Sequence, residues 1–241
     1  MRLPIDGPDV PDALSPSIQN PYEPELGSPP ERDFSNVREE DVVKTGTTTV
    51  GLTTAEGVVV ATDMRASLAG RFVANKNVQK VEQVHPTAAL TMAGSVGGGQ
   101  SFIRSLRVEA NLYEARRGKH MSMDALSTLA ANFLRGGPFF AVSPILGGVD
   151  DTGSYVYSLD VAGGMLSDDY TVTGSGMQLA YGVLEQEYAT DLSNEEAMQV
   201  SARAIKSAVE RDTASGDGIF LAEITEDGVD IRGHKDFEDV L

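Results

Sequence analysis

Thr47, Asp63 and Lys80 are three residues whose types suit nucleophilic catalysis. A threonine hydroxyl is a weak nucleophile at neutral pH and needs a base or a positive neighbour. A nearby lysine favours the developing alkoxide, and an aspartate can hold that lysine charged and oriented. Thr47 lies in the run Lys44-Thr45-Gly46-Thr47-Thr48-Thr49-Val50-Gly51, where an acidic, proline-rich segment gives way to strand-like sequence. If the Gly46–Thr47 bond is cut, Thr47 carries a free amine beside its own hydroxyl, and nucleophile and base then sit on one residue. Each feature also has an ordinary explanation. Three threonines suit the start of a β-strand, because Thr is β-branched. Asp63 and Lys80 would serve equally as a surface ion pair of small effect. Spacing alone leaves these alternatives open.

Other chemistries find less support. The Gly94–Gly99 stretch lacks both phosphate-binding spacings, G-x-x-x-x-G-K-[ST] and G-x-G-x-x-G. Gly174-Ser175-Gly176 lacks the outer glycines of a nucleophile elbow, and none of His85, His120 and His234 is near it in sequence. A tight turn explains both stretches. Those three histidines also show no metal-ligand spacing, so no metal or other cofactor is expected. The chain has no cysteine, which excludes disulfides and a thiol nucleophile. Its net charge of -17 over 241 residues argues against nucleic acid and anionic membranes as partners. The same charge fits the surface of a halophile's protein, or an ordinary acidic cytosolic one. The first residues, Met1-Arg2-Leu3-Pro4-Ile5-Asp6, lack the apolar core of a signal peptide, and no apolar run is long enough to span a membrane. A cytoplasmic protein is expected.

The elements that must position these residues begin at Thr47. Residues 1–46 hold eight of the chain's eleven prolines, and acids outnumber bases there ten to four. Such a segment buries too little apolar surface to offset its ordering entropy, and reads as a disordered tail or a pro-segment. Thr47–Thr54 and Val58–Thr62 read as a hairpin, with a further strand pair around Ala69-Gly70. Ala88–Ala93 is an apolar strand ending at Gly94. Phe102, Ile103, Leu106, Ala110 and Tyr113 have helical spacing up to Gly118, and a second helix covers about Ser122–Arg135. Phe139–Val149, Ser154–Leu159 and Met165–Val172 read as strands. A helix follows Gly176 through Leu184. Ser193-Asn194-Glu195-Glu196 has capping-box form and opens a helix to about Asp212, before a last strand at Ile219–Thr225. Strands and helices thus come in blocks, which predicts an α+β fold of two antiparallel sheets covered by helix pairs.

Six ordered blocks carry a resemblance. They are Thr47-Thr48-Thr49-Val50-Gly51, Ala61-Thr62-Asp63-Met64-Arg65, Lys76-Asn77-Val78-Gln79-Lys80, Ala93-Gly94-Ser95-Val96, Gly174-Ser175-Gly176 and Arg211-Asp212-Thr213-Ala214-Ser215-Gly216. Together they resemble the proteasome β-type subunits, especially archaeal ones, and the acidic composition suits a haloarchaeal member. The resemblance implies the four-layer αββα sandwich of N-terminal nucleophile hydrolases. It also implies that residues 1–46 are a propeptide removed autocatalytically at Gly46-Thr47, leaving residues 47–241 as the catalytic domain.

Carried over by position, Thr47 is the nucleophile and its freed amine the proton acceptor and donor. Lys80 lowers the pKa of the hydroxyl, Asp63 orients Lys80, and the Gly94 N–H faces the oxyanion. Ser175, Asp212 and Ser215 form the hydrogen-bonded shell around the amine. The stretch between Asp63 and Lys80 is one residue longer than the archaeal pattern. Placed at Ala69-Gly70 the extra residue keeps Lys80 in its role; placed after Val73 it would give that role to Lys76. Ala66, Val78, Met92 and Val96 match the family's specificity pocket, and their apolar character implies cleavage after large hydrophobic residues. The implied partners are proteasome α subunits, other β subunits in seven-membered rings, an AAA ATPase acting through the α ring, and unfolded protein substrates. A structural subunit of the same ring and a small-molecule amidase of the same fold are the competing readings.

Overall fold

The computed structural model describes residues 46–68, 70–137 and 142–241. The expectations placed on residues 1–45, on Ala69 and on 138–141 lie outside the described residues. Within the unit Val37–Leu241, the described residues build two five-stranded antiparallel sheets with a helix pair on each outer face. This is the αββα arrangement of the N-terminal nucleophile hydrolases.

The first sheet has the order β10-β1-β2-β11-β12, from Tyr170–Gly174, Thr48–Thr53, Val58–Asp63, Ile219–Thr225 and Gly228–His234. The second has the order β5-β6-β7-β8-β9, from Val81–His85, Ala88–Thr91, Ile145–Asp150, Gly153–Leu159 and Met165–Asp168. A small hairpin, β3 (Ala66–Leu68) with β4 (Phe72–Asn75), stands apart from both. The helices are α1 (Val96–Arg117), α2 (Met123–Gly136), α3 (Met177–Glu187) and α4 (Asn194–Val209).

Side chains alternate faces along a strand, so a strand buried on both sides divides its apolar residues between two cores. On β2, Val58 and Val60 join Ile145, Val156 and Ala222 between the sheets. Val59 and Ala61 point the other way, onto Ala204, Ile205 and Ala208 of α4. On the outer face of the second sheet, Leu90, Leu146 and Tyr157 pack with Phe102 and Leu106 of α1 and Leu126 of α2. Glycine sets the spacing between the sheets at two places. A Cβ on Gly51 would stand 2.8 Å from a methyl of Ile145, and one on Gly147 would stand 2.6 Å from a methyl of Val60.

The capping box at α4 forms as expected: the Ser193 hydroxyl accepts from the Glu196 N–H, and the Glu196 carboxylate accepts from the Ser193 N–H at 2.9 Å. Four details depart from the sequence expectations. The glycines after Ser95 are not a turn but the first residues of α1, with the Ser95 side chain as N-cap. The region Met165–Val172 is two strands rather than one. The chain leaves the second sheet after Asp168 and joins the first at Tyr170, and the Asp169 carbonyl accepts from the Thr53 N–H at 2.8 Å. The strand expected at Phe139–Val149 is described only from Ile145, with Val142 bridged to Gly94. Two strands, β5 and β12, had no counterpart in the sequence reading.

Candidate active site

β1 lies between β10 and β2, with Thr48 opposite Gly174 and Thr49 opposite Thr62. This pairing sets Thr47 beside the end of β2, where Asp63 lies. Lys80 arrives from the other sheet, immediately before β5, and its carbonyl is held by the Met92 N–H at 2.7 Å. The Lys80 ammonium donates to the Thr47 hydroxyl at 3.0 Å and to Asp63 Oδ1 at 2.8 Å. Lys76 has a different place, its carbonyl accepting from the Lys235 ammonium at 2.8 Å. The three residues singled out by type therefore converge, and the ion pair between Asp63 and Lys80 is interior. Its side chains are 0 % and 5 % exposed.

Asp63 is surrounded by donors. Oδ1 also accepts from the Thr48 N–H at 3.0 Å, while Oδ2 accepts from the Arg65 N–H at 3.0 Å and the Gly216 N–H at 2.9 Å. Burial pushes its pKa above the ordinary carboxylate range, against the pull of Lys80 and the amides. Burial likewise pushes Lys80 below the ordinary lysine range, and Asp63 and Asp212 oppose it. A lysine displaced downward gives up its proton more readily than an exposed one, and Asp63 and Asp212 act to keep it charged.

A second network reaches the backbone nitrogen of Thr47. Its N–H donates to Ser175 Oγ at 3.2 Å, and Ser175 donates to Asp212 Oδ2 at 2.6 Å. The Ser215 hydroxyl donates to the same carboxylate oxygen at 2.6 Å and accepts from the Thr48 hydroxyl at 2.9 Å. Ser175 thus meets the nitrogen that cleavage would free, and Asp212 and Ser215 are joined to it from behind. The Thr47 hydroxyl, for its part, donates to the Gly46 carbonyl at 2.7 Å. Nucleophile and candidate scissile carbonyl are in contact.

The glycines here answer to close approach. A Cβ on Gly46 would fall inside the Ala214 methyl, and one on Gly174, at φ 99°, would overlap the Thr47 carbonyl. Gly94 turns the chain from β6 into α1 at φ 108°, bridged to Val142. Of the four pocket candidates, Ala66 opens β3 and is buried, and Met92 is buried against Gly99. Val78 is half-buried, its N–H donating to the Met64 carbonyl at 3.0 Å, and Val96 is exposed at the first residue of α1.

Three participants escaped the sequence reading, among them Gly216, whose N–H donates to Asp63 at 2.9 Å. Thr48 supplies an N–H to Asp63 and a hydroxyl to Ser215, although it looks like one more strand threonine. Arg65 supplies an N–H to Asp63, and its place two residues further on was the only available signal.

Comparison with known proteins places the chain in a family. The model of the family described as "Proteasome subunit" matches residues 43–224. A proteasome subunit beta of Natrialba magadii is 72% identical over 222 residues, covering 92% of this chain and 91% of that protein. Proteasome subunit beta 1 of Haloterrigena turkmenica is 71% identical with the same coverage. Proteasome subunit beta 1 of Haloarcula marismortui is 63% identical over 243 residues, covering 100% of both chains. With these relatives and this sandwich, the chain belongs to the proteasome subunit family, among its archaeal β subunits of haloarchaeal type.

Proposed function

We propose that this β subunit is catalytic: a threonine endopeptidase of the proteasome core that becomes active by cutting its own Gly46–Thr47 bond. The observation that carries this reading is the Lys80 ammonium, 3.0 Å from the Thr47 hydroxyl and 2.8 Å from a buried carboxylate. A subunit kept only as scaffold would have no use for a buried ion pair aimed at a hydroxyl, since such a pair is costly to desolvate.

In the first turnover, Thr47 Oγ attacks the Gly46 carbonyl carbon and the C–N bond breaks. The acyl group moves to oxygen and the nitrogen gains a proton, becoming an amine. Water then hydrolyses the ester, releasing residues 1–46 as a propeptide and leaving residues 47–241 as the mature enzyme. In later turnovers the hydroxyl attacks a substrate carbonyl and passes its proton to the Thr47 amine, which delivers it to the leaving amine. The lysine charge stabilises the alkoxide, and the Gly94 N–H the oxyanion. Water hydrolyses the resulting ester. Ser175, with Asp212 and Ser215 behind it, fixes the amine for both transfers. Ala66, Val78, Met92 and Val96 would form an apolar pocket favouring large hydrophobic residues before the cleaved bond. Met92 lends it some adaptability.

As a core β subunit, the chain assembles with α and β subunits. Seven-membered rings, an AAA ATPase at the α ring, unfolded protein substrates and a cytoplasmic location complete the reading. The experiment is the intact mass and N-terminal residue of the chain in assembled particles, together with peptide hydrolysis by wild type and Thr47→Ala. A chain beginning at Thr47, with hydrolysis lost in the variant, is expected. A chain that keeps residues 1–46 in mature particles would instead identify a structural subunit.

A further inference from the structure

The loop between α4 and β11 delivers two groups to the site. Gly216 gives its N–H to Asp63 at 2.9 Å, and Ser215 gives its hydroxyl to Asp212 at 2.6 Å. Its backbone is unusual. Gly216 and Gly218 stand at φ 152° and 116°, and between them Asp217 is, among the described residues, the one non-glycine at positive φ, 66°. An L-residue adopts that conformation at a cost and keeps it where surrounding contacts impose it.

Arg65 makes those contacts. Its Nε donates to Asp217 Oδ2 at 2.8 Å and its Nη1 donates to the Thr213 carbonyl at 3.0 Å, so one guanidinium grips the loop on both sides of Ser215 and Gly216. The guanidinium also lies against the Gly216 backbone, where a Cβ would stand 2.5 Å from Nη2. At its other end, the Arg65 N–H donates to Asp63 itself. The pair is largely shielded from water, with side chains 23 % and 17 % exposed.

We infer that Arg65 is a positioning residue for the Thr47 site, holding Thr213 and Asp217 so that Gly216 and Ser215 stay aimed at Asp63 and Asp212. The inference rests on the peptidase reading above. A planar guanidinium suits this task better than an ammonium, because its donors are fixed relative to one another. Its charge has a second effect. The charged groups acting on Lys80 are Asp63 and Asp212, which favour its protonated form, and Arg65, which disfavours it.

The test uses full-length protein isolated as assembled particles, in wild type, Thr47→Ala, Arg65→Gln, Arg65→Lys and Asp217→Asn. Peptide hydrolysis per particle is followed across pH. In Arg65→Gln, kcat is expected to fall about 10- to 100-fold with KM little changed, as for groups misplaced by a fraction of an ångström to an ångström. The pH limb belonging to the Asp63–Lys80 pair should move to higher pH in that variant. Arg65→Lys keeps the charge but not the two-point grip, so kcat stays low while the limb stays near its wild-type position. Asp217→Asn, which leaves Arg65 and its charge in place, should lower kcat by less. It decides the matter alone if Arg65→Gln fails to assemble. Wild-type kcat and an unmoved pH profile per particle in these variants overturn the inference while leaving the peptidase reading intact. Activity that survives Thr47→Ala overturns both.

Discussion

Replacing Asp63 by asparagine tests the centre of the site with almost no change in shape. Four donors converge on the carboxylate: Lys80 Nζ and Thr48 N–H on Oδ1, Arg65 N–H and Gly216 N–H on Oδ2. An amide has one oxygen and one NH2, so either orientation turns a donor toward two other donors. With its oxygen facing Lys80, the introduced amide loses the bonds from Arg65 and Gly216 and leaves a buried ammonium without its paired counter-charge. Breaking one partner of a buried pair costs about 3–5 kcal/mol. For a domain of this size that corresponds to a fall in melting temperature of about 10 °C. Lys80, already displaced downward by burial, loses its main opposing charge and becomes neutral more easily. Peptide hydrolysis per particle, self-cleavage at Gly46–Thr47 and thermal unfolding are the assays, run at low and high salt. Activity in Asp63→Asn should fall by about 100-fold or more. Salt should not restore it, because a buried pair is screened far less than an exposed one. A variant that cleaves at wild-type rate, or whose defect tracks salt as a surface pair's would, refutes this account of Asp63.

Crowding and titration each give a further test. Gly46→Ala places a methyl inside that of Ala214 and 2.8 Å from Ser175 Oγ, pushing the Gly46 carbonyl off the Thr47 hydroxyl. Self-cleavage should slow by about 100-fold, read from the mass of the N-terminal fragment, and near-normal processing would disprove the contact's role. His85 is buried, with Nδ1 accepting from the Thr87 N–H at 3.3 Å and its ring edge-on to His120. Burial, aided by His120 and opposed by Glu114 and Asp150, holds its pKa below the usual histidine value. The unfolded chain therefore binds this proton first as pH falls below about 6.5, and stability declines until the folded site also takes it up. His85→Asn keeps an acceptor for Thr87 and should flatten the decline, by at most about 1.4 kcal/mol per pH unit. Denaturant midpoints between roughly pH 5 and 7 give the answer, and parallel slopes would rule His85 out.

What was legible in the sequence followed periodicity and end signals. The β1–β2 hairpin showed because Val58-Val59-Val60-Ala61 is buried on both faces and follows a clear turn at Ala55-Glu56-Gly57. α4 showed because Ser193 and Glu196 mark its start. β5 stayed hidden because a register shift between Gln83 and His85 breaks its alternation. β12 stayed hidden because it is a polar edge strand with little to bury. β9 and β10 merged in the reading because nothing local marks a chain stepping from one sheet to the other at Asp169. In the site, Thr47, Asp63 and Lys80 were identifiable by type and Ser175, Asp212 and Ser215 by resemblance. The two-point grip of Arg65 was not, since it depends on a contact 152 residues away in sequence.

The site is also divided between the two sheets. Thr47, just before β1, and Asp63, at the end of β2, are held by one sheet, while Lys80 is anchored at the edge of the other, and the interior that fixes their spacing is the apolar layer around Val60, Ile145 and Gly147. A slide of one sheet against the other by little more than a bond length would part the lysine from its carboxylate while most of the core stayed dry. The contact between Lys80 and Asp63 is therefore a gauge of how well the middle of the molecule is seated. On the proposed peptidase reading, heat, mutation or incomplete folding should silence the Thr47 site before the fold itself comes apart.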